Sequence, residues 1–374
     1  GEKGSFFPEE VAVPYLSMLL ERPVKWVEDR EENMLAFHGR GHSVDMEVAV
    51  KSDGAILGMR VSIVSDLGAY FMAGTTTVPL LTSYRLVGPY RTPAATVELL
   101  GVLTNKPRTG PYRGAGGPEA AFCMERTIDL IARDLDLDPA EVRARNFITP
   151  ESFPYDTPTG LTYDSGNYAQ ALDRALELSD YHSWREQTRP QTRQERGHGE
   201  PLIGVGLATV VKGTGGRGAI LTDHARVIVE PSGRVTVHTG VSPHGQGTAT
   251  TFSQLVADEL GVTPSDVQVL YGDTDALPSG GGPSASRGLV AGGSAMFYPL
   301  QEARQKLNLI AAHLLHCPAE DVAFQEGRVF NRNHPGQDMP FSQVAAAAYS
   351  EELLPPGVIP GVDITGSHTV PLSP

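Results

Sequence analysis

Two stretches alternate apolar and polar residues with the period of a strand, and each is broken by a turn signal. Val44 to Ser65 alternates around Asp53-Gly54, and Ala225 to Thr239 alternates around Pro231-Ser-Gly233. Each reads as a β-hairpin. Val24 to Val27, Ala95 to Leu103 and Leu202 to Val211 are further strand candidates. Helical spacing takes over elsewhere. Thr248 to Leu260 carries a strong helix pattern, and Phe122, Ile128, Ile131 and Leu135 keep roughly helical spacing. Arg287 to His316 reads as one long helix in which Gly292 and Gly293 allow close packing. Pro8 with Glu9 and Glu10 suits a first helical turn, where the macrodipole favours acids, and Pro14 is a kink candidate. Asp29-Arg-Glu-Glu-Asn33 reads as a loop or short helix, and Asp138-Pro-Ala-Glu141 has the form of a capping box.

Glycine-rich loops punctuate this pattern. One is Pro107 to Glu119, containing Tyr112-Arg113-Gly114-Ala115-Gly-Gly. A second is Gly240-Val-Ser-Pro-His244-Gly-Gln246-Gly247, and a third is Gly280-Gly-Gly-Pro-Ser284-Ala285-Ser286-Arg287. A strand, a glycine loop and a helix in succession point backbone N–H groups at one spot and favour an anion. The expectation is a site for a large phosphate-bearing cofactor. Each half of the chain carries a hairpin and a glycine loop leading into a helix. This predicts an internal structural repeat, although the halves share little direct identity. The polar stretch Trp184 to Pro201 reads as a linker. The expected organisation is a first lobe over 1–183, a linker over 184–201 and a second lobe over 202–374. The fold class is α+β, two-lobed, with mixed sheets.

Composition narrows the chemistry. The 374 residues are 40% hydrophobic and 20% charged, an ordinary globular balance. No run of eighteen apolar residues occurs, so no membrane span is expected. No signal-peptide pattern opens the sequence, and a cytoplasmic location is expected. The formal charge of −14 argues against a nucleic-acid partner. Two cysteines, Cys123 and Cys317, cannot ligate an iron–sulfur cluster.

The candidate residues divide unevenly. Arg113 offers a fixed cation with several donors beside glycines that let a ligand approach the backbone. His244 beside glycine reads as a turn residue. His313, His316 and Cys317 have metal-like spacing, but Leu314, Leu315 and Pro318 suit the end of an apolar helix, and no metal site is assigned to them. Asp273 and Asp275 read as turn formers. Ser284 and Ser286 lack the Gly-x-Ser-x-Gly setting of a nucleophile elbow. No nucleoside-triphosphate loop is present.

Taken in order, several motifs carry a resemblance. They are Gly1-Glu-Lys-Gly-Ser-Phe-Phe-Pro-Glu-Glu, Arg22-Pro-Val-Lys-Trp, Pro111-Tyr-Arg-Gly-Ala-Gly-Gly-Pro-Glu-Ala, Arg145-Asn-Phe-Ile, His244-Gly-Gln-Gly, Gly272-Asp-Thr-Asp and Ser284-Ala-Ser-Arg-Gly. The chain resembles the large, molybdenum-binding subunit of the xanthine dehydrogenase, aldehyde oxidase and aerobic carbon monoxide dehydrogenase family. The bacterial carbon monoxide dehydrogenase-like branch is the nearest in pattern, especially across Thr248 to Ala295.

The resemblance implies a molybdenum–molybdopterin cofactor, in its cytosine dinucleotide form. It implies that Arg113, the catalytic candidate, faces the metal with Gly114 and Ala115. It places Gln246 and Gly247 at the pterin, and Ser284, Ala285, Ser286 and Arg287 along the cofactor and its phosphates. Gly1 joins the cofactor-binding set. The implied reaction is hydroxylation with oxygen from water, the electrons leaving through iron–sulfur and FAD partner subunits. Two departures shape the substrate expectation. Gly114 stands where the carbon monoxide enzyme carries its copper-binding cysteine, and Ala115 stands where the purine enzymes carry a phenylalanine. The substrate is therefore expected to be a small molecule, an aldehyde or a heteroaromatic ring. The family's general-base Glu, in a Gly-Glu turn, has no counterpart before Pro374. A companion chain or further segment is expected to supply it; the alternative is a non-catalytic cofactor-binding or scaffold subunit of a split large subunit.

Overall fold

The computed structural model of the chain describes residues 7–72, 74–188, 203–215 and 222–370. It divides into two units, the first ending at Lys212 and the second beginning at Gly213.

The first unit opens with helices α1 (Pro8–Leu20) and α2 (Arg30–Ala36), neither of which buries a residue. Asp29 caps α2 in a reciprocal box with Glu32. Val24–Val27 is not a strand: among the described residues no segment pairs with it, and Trp26 and Val27 are exposed. The predicted hairpin is β1 (His42–Val50) and β2 (Ile56–Asp66), antiparallel. Helix α3 (Thr77–Arg85) then leads to β3 (Ala95–Val102), which lies parallel to β2. The Arg113 loop follows and enters α4 (Gly117–Asp134). The buried stripe of α4 is Ala120, Met124, Ile128 and Ile131, packed in one core with Val61 and Ile63 of β2. Phe122 is exposed instead, because six residues before Ile128 is not a whole number of turns.

Helix α5 (Pro139–Asn146) starts at Asp138, whose carboxylate accepts from Ala140 N rather than from the third helical residue that a full box would use. The motif Arg145-Asn-Phe-Ile has a structural explanation. Asn146 Oδ1 accepts from Ile56 N and its Nδ2 donates to Gly54 O, tying α5 to the hairpin turn, while Phe147 stacks on Tyr90. A short pair, β4 (Tyr155–Asp156) and β5 (Thr162–Tyr163), and helices α6 (Tyr168–Leu178) and α7 (Tyr181–Gln187) complete the unit. Trp184 to Gln187 of the expected linker are thus helical, and 189–201 lie outside the described residues.

Residues 203–212 do not form the predicted strand. Side chains of the first unit take up their backbone groups instead. Arg143, fully buried, donates to Leu207 O (2.7 Å), and Glu125 Oε2 accepts from Thr209 N (2.8 Å). Arg143 is also ion-paired to Glu125 (2.9 Å) and Asp129 (3.0 Å), and Tyr90 donates to Glu125 at 2.6 Å. Burial, with Glu125 beside it, pushes the Tyr90 phenol well above its ordinary range.

The second unit repeats the first unit's order of elements. β6 (Thr222–Val229) and β7 (Val235–Thr239) form the antiparallel hairpin, α8 (Thr248–Leu260) crosses over, and β8 (Val267–Tyr271) pairs parallel with β7. A glycine loop then enters α9 (Ser294–Leu315). The remaining elements are β9 (Val322–Gln325), β10 (Arg328–Asn331), β11 (His334–Pro340), α10 (Phe341–Ala347) and β12 (Asp363–Thr369). The last extends the sheet antiparallel to β6, giving the order β12-β6-β7-β8. The core joins Val227, Val229, Val235 and Val237 to Leu260 of α8 and to Leu300, Leu307 and Ile310 of α9. The long helix predicted from Arg287 is present, but its first turns are π-helical rather than α-helical and run directly into α9. A 3-10 turn at Ser284–Ser286 and a π-helical segment at Gly288–Gly293 precede α9. Consecutive residues with positive φ, Ala285 and Ser286, keep the right-handed helix from extending further toward the N-terminus.

Candidate cofactor site

In the first unit the site candidates sit on the turn between β3 and α4. Gly114, Ala115 and Gly116 all have positive φ, at 103°, 40° and 83°. Ala115 is the costly one, since a side chain at that φ is strained. Gly116 cannot be replaced freely: a Cβ there would lie 2.5 Å from Thr82 N and 2.6 Å from Val78 O of α3.

Two arginines grip this turn. Arg40 Nη2 donates to Arg113 O at 2.9 Å, and its guanidinium lies over the Tyr112 ring and 3.5 Å from Glu119. Arg85 Nη1 donates to both Gly114 O and Ala115 O, each at 3.1 Å. Three successive carbonyls are therefore each held by an arginine. The Arg113 side chain is exposed and has no hydrogen bond or ion pair among the described residues.

In the second unit, Gln246 and Gly247 close the loop between β7 and α8. Gln246 turns its side-chain oxygen back to accept from His244 N, so His244 and Gln246 shape one turn. Gly247 is the N-cap of α8, and no side chain caps the first amides of that helix. A Cβ on Gly245 or Gly247 would meet no heavy atom within 4 Å. Among the described residues that side is open, next to N–H groups that no side chain caps.

The loop Gly280–Arg287 lies against the same turn. A Cβ on Gly240 would stand 2.6 Å from Gly280 Cα, and one on Gly280 would stand 2.7 Å from Gly240 Cα. Gly282 N donates to Gly240 O at 3.2 Å. The stems of the two candidate loops, one carrying Gln246 and Gly247 and the other Ser284, Ala285 and Ser286, thus meet backbone to backbone. Val241 packs at the next position, where a Cβ on Gly292 would lie 2.1 Å from its Cγ2, so the π-helical segment also depends on glycine.

Arg287 is placed differently from its neighbours. It is buried, with its guanidinium beneath Gly281, 3.4 Å from Asp223 Oδ2 and donating to Thr222 O at 3.2 Å. Asp223 is fully buried, and burial pushes its carboxyl above the usual range against the pull of Arg287. Arg287 Nε has no hydrogen-bond partner among the described residues. Arg287 therefore sits behind the loop as a cation under its backbone. Gly1 lies outside the described residues.

Sequence reasoning passes over Arg40, Arg85, Asp223 and the Gly240–Gly280 contact. Arg40 and Arg85 are unremarkable in a linear pattern, because their partners are 73 and 29 residues away. The other candidates are structural. Asp275 N donates to Asp273 Oδ1 at 2.9 Å in a local turn, and His316 ends α9 in the left-handed conformation. Among the described residues no helix is long and apolar enough to cross a membrane.

Helix amides that no side chain caps, loop hydroxyls and an open glycine side fit a large anionic cofactor. Comparison with known proteins agrees. Two family models, each described as a molybdopterin cofactor-binding domain, match residues 1–147 and 174–370. The carbon monoxide dehydrogenase large chain of Hydrogenophaga pseudoflava is 35% identical over 99% of this chain and 47% of its own length. The 6-hydroxypseudooxynicotine dehydrogenase complex subunit gamma of Paenarthrobacter nicotinovorans is 34% identical over 93% of this chain and 43% of its own. Among solved structures, quinoline 2-oxidoreductase from Pseudomonas putida 86 superposes with a TM-score of 0.84 at 33% identity, covering 97% of this chain and 47% of that one. The chain spans about half the length of the relatives it matches.

Proposed function

We infer function from family: the chain belongs to the molybdopterin cofactor-binding domains of the molybdenum hydroxylase large subunits. In this reading the second unit holds the pterin and its phosphates. Gln246 and Gly247 bind from one loop, and Ser284, Ala285 and Ser286 from the other. Arg287 stays behind them, paired with the buried Asp223. The nucleotide form is the cytosine dinucleotide. Arg113, Gly114 and Ala115 of the first unit face the metal, and Gly1 joins the cofactor set.

When bound, the cofactor supplies two-electron redox chemistry with oxygen drawn from water. The chain's own contribution is to bind it, orient it and place the Arg113 guanidinium where charge develops on the substrate. Gly114 and Ala115 leave the turn without a cysteine or a bulky ring, which favours an aldehyde or a heteroaromatic carbon as substrate. Electrons pass to iron–sulfur and FAD subunits. The general-base Glu belongs to the half of the large subunit that this chain does not span. The complex works in the cytoplasm.

One observation carries this proposal: two glycine loops joined stem to stem at Gly240 and Gly280, beside the uncapped start of α8. The test is metal and nucleotide analysis of the chain co-purified with its partner subunits. Equimolar molybdenum, with CMP released on acid hydrolysis, is the expected result. A preparation that turns over substrate without molybdenum or pterin would overturn it, and AMP or GMP in place of CMP would change the nucleotide assignment alone.

A further inference from the structure

We propose that Arg85 is a positioning residue for the Arg113 turn, acting through the carbonyls of Gly114 and Ala115. The proposal rests on the cofactor reading above for its functional consequence, and on geometry alone for its structural one.

Arg85 closes α3, whereas the turn it holds lies beyond the whole of β3. One terminal nitrogen donates to two consecutive carbonyls, each at 3.1 Å. The side chain is partly buried, and it has no carboxylate partner among the described residues. Burial lowers the guanidinium's pKa from its ordinary value, with Tyr163 pulling the other way. Its place in the last turn of α3 offsets part of that cost through the helix dipole. A cation kept in a partly buried site without a counter-ion is an expensive means of closing a turn, and a turn alone does not require it.

The backbone explains the need. Ala115 holds φ at 40°, a conformation that persists only when its surroundings over-determine it. Ala115 N donates to Tyr112 O at 2.7 Å, and Gly117 N donates to Gly114 O at 3.1 Å. Arg85 supplies the remaining hold by drawing the carbonyls of Gly114 and Ala115 to one side. With those carbonyls fixed, the backbone immediately after Arg113 is held, while Arg40 holds the Arg113 carbonyl itself. Arg40 secures Arg113 O but also pairs with Glu119 and covers Tyr112, so its loss would disturb several contacts at once. Arg85 is the cleaner probe.

The experiment compares Arg85→Met and Arg85→Lys with the unaltered chain, each co-produced with its partner subunits. Molybdenum content, amide hydrogen exchange over residues 113–117, the Mo(V) electron paramagnetic resonance signal, kcat and KM are read together. For Arg85→Met the metal content is expected to stay within about twofold, since the second unit holds the pterin. Exchange in the turn rises about tenfold or more. The resonance g-values shift, and kcat falls about tenfold or more with a smaller change in KM. Arg85→Lys, which keeps the charge and a donor, recovers part of each loss. Wild-type exchange and an unaltered resonance in Arg85→Met overturn the proposal. If Arg85→Met does not fold, Arg85→Lys decides: an intermediate exchange rate in the turn supports the role, and a wild-type rate with wild-type kcat overturns it. If the unaltered complex holds no molybdenum, the cofactor reading fails, and the exchange comparison still decides whether Arg85 holds the turn.

Discussion

Asp223 and Arg287 form a buried pair beneath the third glycine loop, with 3.4 Å between Oδ2 and Nη2. The two partners are not equivalent. A buried carboxyl can take up a proton, whereas a guanidinium does not give one up. Asp223→Asn is therefore expected to cost about 3–5 kcal/mol, because it leaves a buried cation uncompensated. Arg287→Met is expected to cost less, because Asp223 can become neutral. The Asp223 carboxyl already lies above its ordinary pKa through burial, and losing Arg287 raises it further. In Arg287→Met the stability deficit should shrink as pH falls, since the neutral carboxyl suits the site. Urea denaturation of both variants across pH checks the order; equal losses with no pH dependence would refute the asymmetry.

The Glu125 carboxylate serves Arg143, Tyr90 and Thr209 together. Glu125→Gln removes one of the two carboxylates paired to a fully buried arginine, leaving Asp129, and should destabilise the first unit by about 1–3 kcal/mol. Hydrogen exchange at the Thr209 amide should accelerate more than exchange in β2. Parallel acceleration in both segments would show that the carboxylate supports the whole core rather than residues 203–212 in particular.

Gly292 and Val241 offer a steric test. Gly292→Ala would place a methyl group 2.1 Å from Val241 Cγ2, so the two loops must separate or the π-helical segment must shift. A loss of about 1–3 kcal/mol is expected for this overpacking. Val241→Ala in the same chain should restore part of it. A double-mutant cycle by thermal denaturation with no coupling between the two changes would reject the contact as the cause.

Acid stability has a distinct source at the end of β2. The Asp66 carboxylate accepts from Thr104 Oγ1 (2.6 Å) and Gly68 N (2.9 Å) and pairs with Lys106 Nζ (2.9 Å). The Thr104 bond above all, with Lys106 and Gly68, holds its pKa far below the usual 3.8. A carboxyl depressed in the folded state adds stability that is complete above its unfolded pKa and is lost as pH falls toward its folded one. The stability gap between the unaltered chain and Asp66→Asn should be constant above about pH 5 and narrow steadily below about pH 4. A gap unchanged at about pH 3 would exclude Asp66 as the titrating group.

The hairpins were legible because Asp53-Gly54 and Pro231-Ser-Gly233 interrupt a period-two pattern whose other half lies nearby. The helix entered from Gly247 was legible for the same local reason. Residues 203–212 show the limit. Their apolar content matches that of a strand, but their backbone partners are Glu125 and Arg143, and Thr209 lies 84 residues from Glu125. The glycine loops announced an anion cradle, yet nothing in their order shows that Arg287 faces inward to Asp223 while its neighbours remain at the surface. Long-range polar partners decide these cases, and a linear pattern does not encode them.

The contact between Gly240 and Gly280 also constrains how this region can diversify. Because neither position has room for a single carbon atom, the two stems must be inherited as a matched pair. At the tips the limit is different: Gly245, Gly247 and Gly282 have open space around them but hold positive φ, so there the backbone conformation rather than the space restricts a side chain.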